Sequence, residues 1–247
     1  MTILRRLTFA ALAAPLALGL AACGSDTTEG EVPEGAKVES VAPPAGTTWS
    51  NTAVVTPESG YMIGNPDAPI KLIEYGSLTC PACAAFAEEG FEALKTEYVD
   101  SGRVSFEFRS FLIHGPPDLV LTRLAECGLA EAVIPRADQV WLNIETIVPN
   151  FQAADPKTLD LPEDQRFVAY AEGAQIYDFF AKLGLNRDEA RACLADTKAI
   201  ERLANASQAN AEKDGVDRTP TFLVNGRKVE ASNWAQLEPI LQRAGAR

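Results

Sequence analysis

An apolar run that ends in two closely spaced cysteines constrains this chain more than any other feature. Residues Ile70 to Tyr75 (IKLIEY) read as a buried strand, and Ala84 to Val99 carry Ala, Phe and Leu at helical spacing. Between them stand Gly76-Ser77-Leu78-Thr79-Cys80-Pro81-Ala82-Cys83. Proline suits the first position of a helix, where its missing amide is not needed. Cys80 therefore falls at a helix N-terminus, where unpaired amides and the macrodipole favour negative charge. Its thiolate is expected to be stabilised and its pKa lowered. Cys83, one turn on, faces the same side and can close a small-ring disulfide with it. A substrate thiol attacking such a disulfide would form a mixed disulfide that Cys83 can resolve. A plain structural disulfide or half of a zinc site would use the same two residues. The order of strand, Cys-Pro-x-Cys and amphipathic helix favours the redox reading.

Four motifs carry a family resemblance. Gly64-Asn65-Pro66-Asp67-Ala68-Pro69, Glu74-Tyr75, Cys80-Pro81-Ala82-Cys83 and Thr219-Pro220-Thr221-Phe222-Leu223-Val224-Asn225-Gly226 together resemble the DsbA-like branch of the thioredoxin superfamily, from Tyr61 to the C-terminus. The resemblance implies an α/β, thioredoxin-like fold: a central mixed β-sheet flanked by helices, with an inserted α-helical domain. It makes Cys80 the nucleophile and Cys83 the resolving thiol, and gives Pro220 a cis peptide bond that packs against the disulfide. An incoming peptide would then pair with the main chain of Thr219 in strand fashion, beside Pro81 and Ala82. Glu74 lies on the buried strand, six residues before Cys80. The resemblance implies a buried acid that moves protons during thiol exchange; a strand acid paired to a base is the other reading.

Residues 1–22 have a basic start (Arg5, Arg6) and an apolar run from Leu7, and read as a secretory signal. Leu20-Ala21-Ala22-Cys23 resembles the bacterial lipobox, which would make Cys23 the lipidated first residue of the mature chain. A soluble periplasmic protein without that anchor is the alternative. Residues 23–57 are rich in Gly, Ser, Thr, Pro and Glu and read as a flexible tether, with Trp49 able to dock on the domain. No dimerisation domain fits there, so a monomer is expected. The formal charge is −12, or −14 once residues 1–22 are removed. Such an acidic body disfavours nucleic acid and anionic lipid surfaces as partners.

The thioredoxin-like part is expected over residues 58–115 and 198–247, with a helical insertion over 116–197 broken at Pro149-Asn150, Asp155-Pro156, Leu161-Pro162 and Gly184-Leu185-Asn186. Trp141, Phe167, Tyr170, Ile176, Tyr177, Phe179 and Phe180 read as core rather than substrate groove. His114, the single histidine, precedes Pro116-Pro117 and reads as a surface residue rather than a catalytic base. With Cys23 and the Cys80/Cys83 pair set aside, Cys127 and Cys193 remain. An oxidising compartment and the second disulfide of some family members point to a structural bond between them; buried free thiols are the alternative.

These readings converge on a lipid-anchored, periplasm-facing thiol–disulfide oxidoreductase that donates or exchanges disulfides with unfolded or cysteine-containing secreted proteins and is recycled by a membrane redox partner. No metal and no cofactor beyond the redox-active disulfide is expected. Rival readings are a reductase or isomerase of the same fold, a thiolate copper-binding module, and a non-catalytic chaperone.

Overall fold

A computed structural model describes residues 32–247. The expected signal at 1–22 and the lipidation at Cys23 lie outside the described residues. Six strands form one mixed sheet in the order β1-β2-β4-β3-β5-β6. Strands β1 (Ala53–Val55) and β2 (Tyr61–Ile63) form one edge; β5 (Thr221–Val224) and β6 (Arg227–Val229) form the other. At the centre β3 (Ile70–Gly76) pairs in parallel with β4 (Val104–Ser110) and antiparallel with β5. A strand flanked on both edges and covered on both faces needs apolar residues at nearly every position. Ile70, Leu72, Tyr75 and the facing Phe106, Phe108 and Phe222 are accordingly buried.

Helix α1 (Pro81–Phe86) connects β3 to β4 and continues in wide π-type turns over Ala87–Phe91 and Leu94–Val99. Gly90 lets the C-terminal helix α9 (Trp234–Arg243) approach this stretch, since a Cβ there would lie 2.4 Å from the Cβ of Trp234. Helix α9 starts at Asn233, whose side chain accepts from the Gln236 amide.

After β4 the chain runs through six helices, α2 (Pro116–Ala125), α3 (Val133–Leu142), α4 (Ile144–Ala153), α5 (Glu163–Gly173), α6 (Tyr177–Lys182) and α7 (Arg187–Ala195), before α8 (Thr197–Asp214) returns it to the sheet. The expected break at Pro149-Asn150 is not one. Pro149 lies inside α4 and faces solvent, where the carbonyl it leaves unbonded at Glu145 can be hydrated. The chain breaks at Asn143 instead, between α3 and α4. Cys127 and Cys193 form a disulfide across 66 positions, with a Cα–Cα distance of 6.1 Å, and tie the end of α2 to α7.

The tether expectation fails for residues 32–57, which are laid down on the domain. Val32 and Trp49 are buried. The amides of Gly35, Val38 and Val41 donate to the carbonyls of Arg243, Gly245 and Ser101, each at 2.9 Å. Trp49 donates its indole N–H to Val41 at 2.7 Å, and Ala53–Val55 add the edge strand β1. A composition poor in apolar residues hid this, because the segment is held by two spaced anchors and by main-chain hydrogen bonds, which composition does not register.

Candidate active site

The site forms where the C-terminal end of β3 turns into α1. Cys80 is the N-cap of α1 and Pro81 its first residue. The Cys83 amide donates to the Cys80 sulfur at 3.4 Å, a bond available only to a side chain at the start of a helix. Across the site, Thr219–Pro220 is a cis peptide. The Thr219 carbonyl lies 3.4 Å from the Cys80 sulfur, where it accepts from the thiol. Pro220 and Cys83 are buried, Thr219 is half-buried, and Pro81 and Ala82 are exposed. Cys80 itself is 5% exposed, so the sulfur meets solvent through a narrow opening. Both cysteines carry free thiols.

Their protonation is strongly unequal. A hydrogen bond from the Cys83 thiol does most to bring the Cys80 pKa down to about 5, aided by the Thr219 side chain and the amides of Cys83 and Ala82 and opposed by burial. Burial does most to push the Cys83 thiol well above its ordinary value, and the hydrogen bond to Cys80 and the charge of Glu74 add to it. The helix start acts as expected, through the amides of Cys83 and Ala82, and a neighbouring thiol adds to it.

Glu74 is fully buried, and neither carboxylate oxygen has a hydrogen-bond partner. The paired-base reading therefore does not describe it. Burial first, and the charge of Cys80 second, raise its pKa to about 8, so the acid is neutral at pH 7.

Sequence reasoning missed what stands behind the cysteines. Asp118, at the start of α2, is fully buried and accepts from Ser77 Oγ (2.7 Å), Thr79 Oγ1 (2.7 Å), the Thr79 amide (3.1 Å) and the His114 amide (2.9 Å). Read alone it is an ordinary first-turn helix acid; its partners are up to 41 positions away. Trp141 was expected in the core and is buried, yet its indole also donates to the Ser77 carbonyl at 2.9 Å. His114 is surface-exposed as expected, but its Nδ1 lies 2.9 Å from Thr79 Oγ1, next to Cys80 in the chain. Cavities of about 740 and 330 Å³ both reach Thr79 and Pro81; Trp141 and Glu88 line the larger, His114 and Tyr170 the smaller. Among the described residues no group of three or more His, Cys, Asp or Glu side chains could hold a metal ion.

The thioredoxin family model matches residues 56–243, the sheet and insertion apart from the edge strand β1. The chain belongs to the thioredoxin family, in its DsbA-like branch. Within that family its fold is similar to the crystal structure of a protein-disulfide isomerase from Novosphingobium aromaticivorans, with TM-score 0.68 and 25% identity, over 74% of this chain and 96% of that one. It is also similar to alpha-DsbA1 of Wolbachia pipientis, with TM-score 0.62 and 21% identity over 78% and 94% of the two chains, a likeness of fold. A Rickettsia bellii protein named as a protein-disulfide oxidoreductase is 27% identical over 187 residues, 76% of this chain. The match spans 65% of that relative's length.

Proposed function

We propose that this chain is a thiol–disulfide oxidoreductase that donates the Cys80–Cys83 disulfide to cysteine-containing secreted proteins. The observation that carries the reading is the unequal pair: one sulfur ionised at neutral pH, its partner buried and protonated. A substrate thiolate attacks Cys80, the S–S bond breaks, and Cys83 leaves with the electron pair. Cys83 then takes up a proton, and Glu74, neutral below about pH 8 and close enough to raise the Cys83 thiol, can supply it. A second substrate thiolate attacks the mixed disulfide at the substrate sulfur, and Cys80 departs as a stable thiolate. The substrate leaves oxidised and the enzyme reduced.

Direction follows from the same asymmetry. Stabilising the thiolate stabilises the reduced enzyme, which makes its disulfide the stronger oxidant. The half-buried Thr219 main chain beside exposed Pro81 and Ala82 offers the incoming peptide a strand-like edge. No bound group beyond the disulfide enters these steps. The working form is read as a periplasm-facing monomer, anchored through Cys23 and reoxidised by a membrane redox partner. Among the described residues no helix is long and apolar enough to cross a membrane.

The test is the equilibrium of the Cys80/Cys83 pair with glutathione. A potential near about −120 mV, as in strong oxidants, supports donation, and one near about −270 mV, as in thioredoxin, would assign reduction instead.

A further inference from the structure

The loop that delivers the nucleophile, Ser77 to Thr79, is gripped from two sides by the helical insertion. From α2, Asp118 Oδ1 accepts three hydrogen bonds, from both hydroxyls and the Thr79 amide, while Oδ2 accepts from the His114 amide. From α3, the Trp141 indole donates to the Ser77 carbonyl, which also takes the Cys80 amide at 3.2 Å. A fully buried carboxylate costs several kcal/mol of lost hydration unless hydrogen bonds replace it, about four here, and all of them come from the loop before Cys80 and the loop before α2.

Proton counting fixes the arrangement further. The Ser77 and Thr79 hydroxyls each have one proton, and both are given to Asp118. His114 Nδ1, 2.9 Å from Thr79 Oγ1, must therefore be a donor. Asp118 thus orients both hydroxyls and, through Thr79, the imidazole.

We propose that Asp118 is a positioning residue for the nucleophile: by clamping Ser77 and Thr79 it sets the Cys80 sulfur against the amides that open α1. The reason is geometric. The bond from the Cys83 amide to the sulfur spans 3.4 Å, an ordinary length for sulfur, and such bonds weaken steeply as distance and angle depart from their optimum. A loop free to shift carries the sulfur off its donors. The helical insertion, on this account, is part of the machinery that activates the thiol, because Asp118 and Trp141 reach the loop from two of its helices. The inference rests on thiol exchange at Cys80 and is independent of its direction.

A charge effect would have the opposite sign. Removing an anion from the neighbourhood of Cys80 favours the thiolate and lowers its pKa, whereas loss of positioning raises it. Asp118→Ala, Asp118→Asn and Thr79→Val are titrated in the full reduced chain by thiolate absorbance, with thermal melts alongside. Asp118→Asn keeps a carbonyl oxygen for the three donors at Oδ1 and is expected within a few tenths of a pH unit of wild type. Asp118→Ala is expected about one unit or more higher, with Thr79→Val between them. Wild-type values in both Asp118→Ala and Thr79→Val, whatever their melting temperatures, would overturn the proposal. So would a fall in both Asp118 variants, which would assign a charge effect. Should Asp118→Ala not fold, Thr79→Val decides alone: a raised pKa supports positioning and an unchanged one overturns it. A wild-type sulfur that titrates like free cysteine removes the activation itself, a failure distinguishable from that of Asp118 alone.

Discussion

The backbone amide of Cys83 donates to the sulfur of Cys80 across 3.4 Å, while the Cys83 side chain is itself sealed from solvent. One residue therefore stabilises its partner's anion and is denied its own. The chemistry of the site unfolds from that inequality, and each group that maintains it can be removed separately.

Thr219 is the nearest such group outside α1. Its side chain lowers the Cys80 pKa, and valine is nearly isosteric but has no hydroxyl. In Thr219→Val the Cys80 pKa is expected to rise by about half a unit to one unit, following loss of one hydrogen bond to the charged form. The disulfide should become less oxidising in parallel. Thiolate absorbance against pH and a glutathione equilibrium check the two effects, and a shift in one without the other would break the link drawn between them.

Glu74 ties stability to pH. Its pKa is near 4.5 in the unfolded chain and about 8 in the folded one. Below the first value it is protonated in both states and costs nothing. Between the two values the unfolded chain binds fewer protons, so stability falls as pH rises, by at most about 1.4 kcal/mol per pH unit, until the folded group ionises near pH 8. Glutamine has no such loss. In the oxidised protein Cys80 carries no charge and burial alone raises Glu74, so the melting temperature of Glu74→Gln should gain on wild type steadily as pH rises above 5, until the folded acid ionises. Parallel curves would mean that the acid is not held neutral by its burial.

The Cys127–Cys193 bond closes a loop of 66 positions far along the chain from Cys80 and Cys83. Replacing both residues by serine should cost about 2–4 kcal/mol in urea unfolding. The Cys80 titration should stay where it is, because the loop before Cys80 is held by Asp118 and Trp141 and not by this bond.

The Cys80/Cys83 pair at a helix start and the sheet around β3 were readable because each rests on local chemistry: a buried strand, a proline at the first helical position, a turn signal at Asn225-Gly226. The cis bond before Pro220 was legible only through the family resemblance, since most X-Pro bonds are trans. What escaped reading was held by contacts distant in sequence. Asp118 reaches Ser77 and Thr79 across the β3–α1–β4 unit, and no local pattern marks it as more than a helix-start acid. The segment from Val32 was read as free because it lacks apolar periodicity, yet Gly102 shows how closely it docks: a Cβ there would lie 2.5 Å from the Val41 carbonyl. Pro149 punctuates the sequence strongly, but on a solvent-facing turn its missing hydrogen bond is tolerated and α4 runs through it. Glu74 could be placed on a buried strand from the sequence. That it is left without a partner there could not, since its neutrality depends on what β4 and β5 set beside it, Phe108 and Phe222.

The most direct test of this account is the titration of Cys80 in the reduced protein, followed by thiolate absorbance with Cys83→Ser to assign the signal. Serine keeps the Cys83 amide and a hydroxyl donor in place of the thiol, so the account predicts a midpoint near the value of about 5 and in any case well below neutrality. A midpoint near that of free cysteine, about 8.5, would contradict it.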